Sequence, residues 1–208
     1  MKVAVLLLMM LLQKDAFTKM TYCVVRAVGP YEKQCVSLSP TGRGEANLKR
    51  RGGDMINVPI VLADRPRDRF LAAVAGVDYM SDTGSWESKN KVANLGLKTI
   101  TLEGAGPTPR IKEYNYSPQS EVRELGNFFD NVINQETIVL DVEMAMQYDK
   151  LAIPKWIDRI EGEVKGNRIA DPERLIPLIA KIENDTKFMN YARANAKKLR
   201  ESILARKP

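Results

Sequence analysis

Residues 104–133, GAGPTPRIKEYNYSPQSEVRELGNFFDNVI, decide how the chain is read. Glycine and proline crowd the first six positions, where neither a two-residue nor a 3.6-residue apolar period survives. From Ser117-Pro118 onward the apolar side chains fall at Val122, Leu125, Phe129, Val132 and Ile133, close to one helical face. The expected fold is therefore α+β, with a strand- and loop-rich N-terminal half followed by a C-terminal antiparallel helical bundle. The expected segments are a mixed region over 1–103 with one helix, a Gly/Pro linker over 104–116, and a helical domain over 117–208.

Downstream, Ile138, Val142, Ala145 and Tyr148 continue the helical signal. Pro154 restarts it with Trp156, Ile157, Ile160 and Val164, and Gly166 stops it. Asp171-Pro172 opens another helix, which Pro177 is expected to kink, and Asp185 is expected to cap the last one. On that last helix Phe188, Ala192, Leu199 and Ile203 share one side, and Arg193, Lys197 and Arg200 share the other. Met144 and Met146 are expected to pack.

Upstream, Cys23 and Cys35 each lie six residues from Gly29. If Tyr22–Val28 and Gln34–Leu38 are strands turning through Gly29-Pro30, the two sulfurs stand opposite each other within disulfide reach. Two cysteines in 208 residues do not make a disulfide scaffold, so a reduced, half-buried pair is the leading expectation. A disulfide or a thiol attachment point is the alternative. Gly42–Gly53 (GRGEANLKRRGG) reads as a basic loop, and Pro59 demotes Ile56–Ala63 to an edge or irregular strand. Asp64 reads as an N-cap, with Pro66 in the first turn and Gly76 ending the helix. Residues 77–103 are ambiguous, although Leu97–Leu102 within them alternates like a half-buried strand.

A chain of 208 residues with 44% hydrophobic and 28% charged content can bury a core and lacks the signature of disorder. Val3–Leu12 is an apolar run of half the length a membrane span needs, so no span is expected. It reads as a buried first element, with a signal or anchor, or a segment that docks on a partner, as alternatives. The net charge of +6 is local: Lys187, Arg193, Lys197, Lys198, Arg200, Arg206 and Lys207 in the last 22 residues face only Glu201. A second basic element comprises Arg43, Lys49, Arg50 and Arg51, with Arg26 upstream.

The chain has no histidine, which removes the commonest general base and any His-containing metal site. Asp78 or Asp82 with Glu87-Ser88-Lys89 could hold a divalent cation beside a lysine, but structural carboxylates in a loop with Trp86 explain the same letters. Asp64 and Asp68, interleaved with Arg65, Arg67 and Arg69, fit helix capping and ion pairing better than a phosphate clamp. Gly104-Ala105-Gly106 runs into Pro107, without the ending of a phosphate-binding loop. Trp86 and Trp156 read as core or interface anchors.

These residues lead to a non-catalytic structural or linker subunit of a larger assembly, without a cofactor, and intracellular or organellar rather than secreted. It is expected to dock on protein subunits with acidic surfaces through the basic loop and the basic C-terminal helix. RNA is the alternative partner, with Tyr22 or Tyr31 as a stacking group, and a metal-dependent nuclease or hydrolase at Asp82, Glu87 and Lys89 is the third reading.

Overall fold

The computed structural model describes residues 17–90, 92–94 and 96–205. The run Val3–Leu12 and the tail residues Arg206 and Lys207 lie outside them. The chain forms two compact units, dividing after Phe129.

The first unit carries six antiparallel strands in the order β4-β3-β2-β1-β5-β6. They are β1 (Lys19–Val25), β2 (Tyr31–Leu38), β3 (Arg43–Arg50), β4 (Met55–Val61), β5 (Leu97–Glu103) and β6 (Arg110–Tyr114). Successive side chains on a strand point to opposite faces, and the sequence alternates accordingly. Met20, Tyr22, Val24, Val36, Leu38, Ala46, Leu48, Ile100 and Leu102 are all fully buried on one face. Thr21, Ser37, Asn47 and Thr99, on the other, are only partly covered. The buried face meets aromatic rings from α1 (Asp64–Gly76) and the start of α2 (Ser120–Tyr148). Tyr22 stacks on Phe129 at 5.2 Å between centroids, and Phe70 lies 5.6 Å from Phe128 and 5.8 Å from Phe129.

Both sheet edges are blunted. Pro59 sits in β4, an edge strand as its sequence predicts, where it withholds one amide donor. On the β6 side, Lys112 donates to the carbonyls of Asp82 and Gly84, and just past the strand Ser88 N donates to Tyr116 O at 2.8 Å and Asn115 Nδ2 to Ala93 O at 2.9 Å.

Several expectations change here. Gly42–Gly53 is no loop: Arg43–Arg50 is β3, paired on both sides. Gly44 lets β3 approach β2 so closely that a Cβ there would lie 1.7 Å from the Ser37 carbonyl oxygen. Residues 104–109 turn the β5–β6 hairpin, and β6 occupies much of the expected linker. Asp64 does not cap α1 with its side chain: Ala63 holds that position, and Asp64 pairs with Arg67 inside the first turn. The ambiguous stretch contains a left-handed turn at Asp78, Tyr79 and Met80 (φ 45°, 49° and 57°). Arg110 spans it, donating to Tyr79 O at 2.6 Å and to Ala105 O at 2.9 Å.

The second unit contains the remainder of α2 with α3 (Ile153–Lys165), α4 (Ile176–Asn184) and α5 (Asn190–Leu204). Their core includes Ile138, Val142, Ile157, Ile160, Ile179, Ile182, Ala196 and Leu199. Pro177 kinks nothing: a 3₁₀ turn over Pro172–Leu175 ends first, and Pro177 falls in the first turn of α4, where no amide donor is needed. Asp185 closes the turn between α4 and α5, accepting from Lys187 N and Phe188 N, and α5 starts only at Asn190. A polar seam runs along α2. Asn131 and Asn134 donate to the carbonyls of Asn167 and Arg168, Gln135 accepts Asp171 N at 2.7 Å, and fully buried Glu136 takes Arg174 at 2.6 Å.

Candidate docking surfaces

The two basic elements belong to different units, and the fold treats their residues unequally. In the first unit the end of β3 lies beside the β1–β2 turn, whose backbone carbonyls, with the Glu32 carboxylate, accept its cations. Lys49 Nζ reaches Glu32 Oε1 at 2.6 Å, and this hydrogen bond holds the Glu32 carboxyl below the usual carboxylate range. Arg50 lies over the Tyr31 ring at 5.5 Å and donates Nε to its hydroxyl at 3.4 Å. Arg51 donates to Gly29 O at 3.2 Å and to Arg26 O at 3.0 Å. These three cations stitch strand ends together. Arg43 differs: it is exposed on the open face of the sheet and makes no ion pair among the described residues.

In the second unit, Phe188, Ala192, Leu199 and Ile203 are buried as the helical wheel predicts. Arg193 and Arg200, however, bend onto the end of α4. Arg200 Nε meets Glu183 Oε2 at 2.7 Å and Nη2 meets Oε1 at 3.2 Å, while Arg193 Nε donates to the Glu183 carbonyl at 3.0 Å. The Arg200 hydrogen bond lowers the Glu183 pKa from its ordinary value, with help from the charges of Arg200 and Lys197. Lys187, Lys197 and Lys198 stay exposed and form no ion pair among the described residues. The sequence contained Glu183 and Glu32, but neither lies at helical spacing from its partner, so only the fold brings them together.

The remaining candidates resolve into structural contacts. Asp82 accepts Trp86 Nε1 at 3.2 Å and Lys112 Nζ at 3.0 Å, and Lys112 also donates to the carbonyls of Asp82 and Gly84 while lying 5.6 Å from the Trp86 ring. Glu87 accepts the Asn115 amide at 2.5 Å. Among the described residues no three His, Cys, Asp or Glu side chains are grouped to hold a metal ion. Arg67 bridges Asp64 and Asp68 at 2.8 and 2.9 Å, which is the ion pairing expected of that run. Tyr22 and Tyr31 are buried, so neither offers a face on which a base could stack. Trp86 is a core residue, and half-buried Trp156 lies under Arg159 at 4.9 Å. Met146 packs against the second core, whereas Met144 is exposed.

Cys23 and Cys35 form a disulfide, not the reduced pair favoured from composition. They are direct partners across β1 and β2, with Cα atoms 4.1 Å apart. No helix of the described residues is long and apolar enough to cross a membrane. No family model matches the chain, and no curated protein matches it.

Proposed function

We propose that this protein is a non-catalytic structural or linker subunit of a larger macromolecular assembly, docking on an acidic protein surface. The observation that carries this reading is the division of labour among its cations. Lys49, Arg50, Arg51, Arg193 and Arg200 serve the fold, whereas Arg43, Lys187, Lys197 and Lys198 remain exposed without a carboxylate in pairing distance among the described residues. Lysines held in water gain little from an isolated surface pair, but they steer encounter with an acidic partner and fix its register. Lys187 and the Lys197-Lys198 pair form the principal contact, and Arg43 is a separate contact on the first unit. A protein partner is favoured over RNA because both tyrosines proposed for base stacking are buried.

The test is purification of the full chain at low salt from its native source, followed by replacement of Lys187, Lys197 and Lys198 with glutamate. Loss of a stoichiometric protein complex in the triple variant, and its dissociation as ionic strength rises, is the expected result. Recovery of the wild-type chain alone, or unchanged incorporation of the variant, overturns the reading. A single-stranded RNA oligonucleotide titrated at low salt provides the control, and tight binding there would move the function to nucleic acid.

A further inference from the structure

The Cys23–Cys35 bond lies at the middle of the sheet face opposite the one that packs on α1 and the start of α2. Register places it in a row crossing all six strands: Asn57, Asn47, Cys35, Cys23, Thr99, Glu113. Around it on the same face stand Thr21, Ser37, Val25 and Lys33, each exposed or partly so. We propose that this bond is a thiol–disulfide exchange centre, with Cys23 the sulfur that accepts an incoming thiol and Cys35 the sulfur that leaves.

Two observations carry the assignment. The two residues differ in access: Cys23 is partly exposed, whereas Cys35 retains only 8% of its surface, which favours approach to Cys23. The bond is also redundant to local architecture. β1 and β2 are paired from Met20↔Leu38 to Val25↔Lys33, and β1 is held on its other side along its whole length by β5. In the folded state the ladders hold this hairpin whether or not the bridge between residues 12 apart is intact, and the bridge's own restriction falls chiefly on the unfolded chain. The nearest charges by register are mixed and favour neither sulfur. Lys33 lies two residues away on β2, with Lys49 opposite it. Glu32 pairs with Lys49, Glu45 stands one row off on β3, and Glu113 lies two strands beyond Cys23.

The step balances without any group from outside except the thiol. A thiolate attacks Sγ of Cys23, the Cys23–Cys35 bond breaks, a mixed disulfide forms on Cys23, and Cys35 leaves as a thiolate. Cys35 can then attack Cys23 and release the original thiol. Alternatively, a second thiolate attacks the mixed disulfide, giving two protein thiols and one external disulfide, a two-electron reduction of the bond. The co-reactant class is a thiol, on either a small peptide or a protein. The inference is independent of the docking reading, since it needs no acidic partner.

The experiment uses the oxidised full chain in two arms, one with reduced glutathione and one with a folded protein bearing a single exposed cysteine, each quenched with acid and mapped by mass spectrometry. An adduct on Cys23 with a thiol freed at Cys35, in either arm, is the expected result, and the arm that reacts identifies the source of the thiol. In parallel, Cys23 in the C35S variant should react with an aromatic disulfide reagent about tenfold faster than Cys35 in the C23S variant, following access. Amide exchange of β1 and β2 should stay protected after reduction of the wild-type chain. An adduct on Cys35, no adduct without denaturant in either arm, or loss of β1–β2 protection on reduction would each overturn the proposal. The wild-type mapping stands even if a serine variant fails to fold.

Discussion

Arg200 reaches back 17 residues to Glu183 and grips its carboxylate with two nitrogens, at 2.7 and 3.2 Å, tying α5 to the end of α4. A side chain that sequence places on a solvent-facing basic stripe is thus part of the frame of the second unit. The same carboxylate residue lends its carbonyl to Arg193, so one position anchors two of the three cations on that stripe.

This pairing predicts a specific acid sensitivity. The folded-state pKa of Glu183 lies below its unfolded value, chiefly through the Arg200 hydrogen bond. Its contribution to stability is therefore fully present above the unfolded pKa, about 4.3, and is lost as pH falls through the lower folded value. Glu183→Gln removes that dependence while keeping the backbone carbonyl that Arg193 uses. Denaturation midpoints measured from neutral pH downward should show a shallower acid limb in the variant. Identical limbs in both proteins would refute the assignment.

Glu136 is fully buried and its charge is answered by Arg174. Breaking such a pair from one side leaves an uncompensated charge in the interior, which costs roughly 3 kcal/mol. Arg174→Met should therefore lower the urea-derived stability of the second unit by about that amount. Replacing Glu136 with leucine in the same chain should recover much of the loss. A single substitution without effect would mean that water reaches the Glu136 carboxylate.

Gly44→Ala should disrupt the sheet, because its Cβ would fall 1.7 Å from Ser37 O and 2.7 Å from Ser37 C, both backbone atoms with no freedom to step aside. The expected loss exceeds the ordinary ~1 kcal/mol of a point substitution. Amide exchange in β2 and β3 would report it. An alanine variant with wild-type protection there would show that β3 is not so close to β2.

The left-handed turn at Asp78–Met80 places three non-glycine residues where each incurs roughly 1–2 kcal/mol of steric cost. Arg110 offsets this through its bonds to Tyr79 O and Ala105 O. Arg110→Met keeps the aliphatic stem and removes both donors. Limited proteolysis should then cut selectively within 77–82, before any general loss of structure. Uniform cleavage along the chain would count against the turn as a strained and separately held segment.

Periodicity made the α+β class readable, together with several elements. The alternation over Leu97–Leu102 became β5, Pro59 marked an edge strand, and the apolar faces of α3 and α5 are buried as predicted. It failed where glycine stands inside a paired strand. The glycine at position 44 looks like loop punctuation, yet its missing side chain is what allows β3 to lie against β2. The unit boundary was also unreadable, because α2 runs through it as one continuous helix with an unbroken 3.6-residue signal.

What the amino-acid order alone determined was local: which residues turn inward along a strand or helix, the absence of histidine chemistry, and the sums of charge. Those follow from spacing and side-chain type, and they need no knowledge of distant neighbours. Only the tertiary structure decided which cations are paired with carboxylates and whether the two sulfurs are joined. Glu32, Glu183 and Cys35 reach their partners across strand pairs and helix turns, and charge pairing and bond formation depend on distance in space.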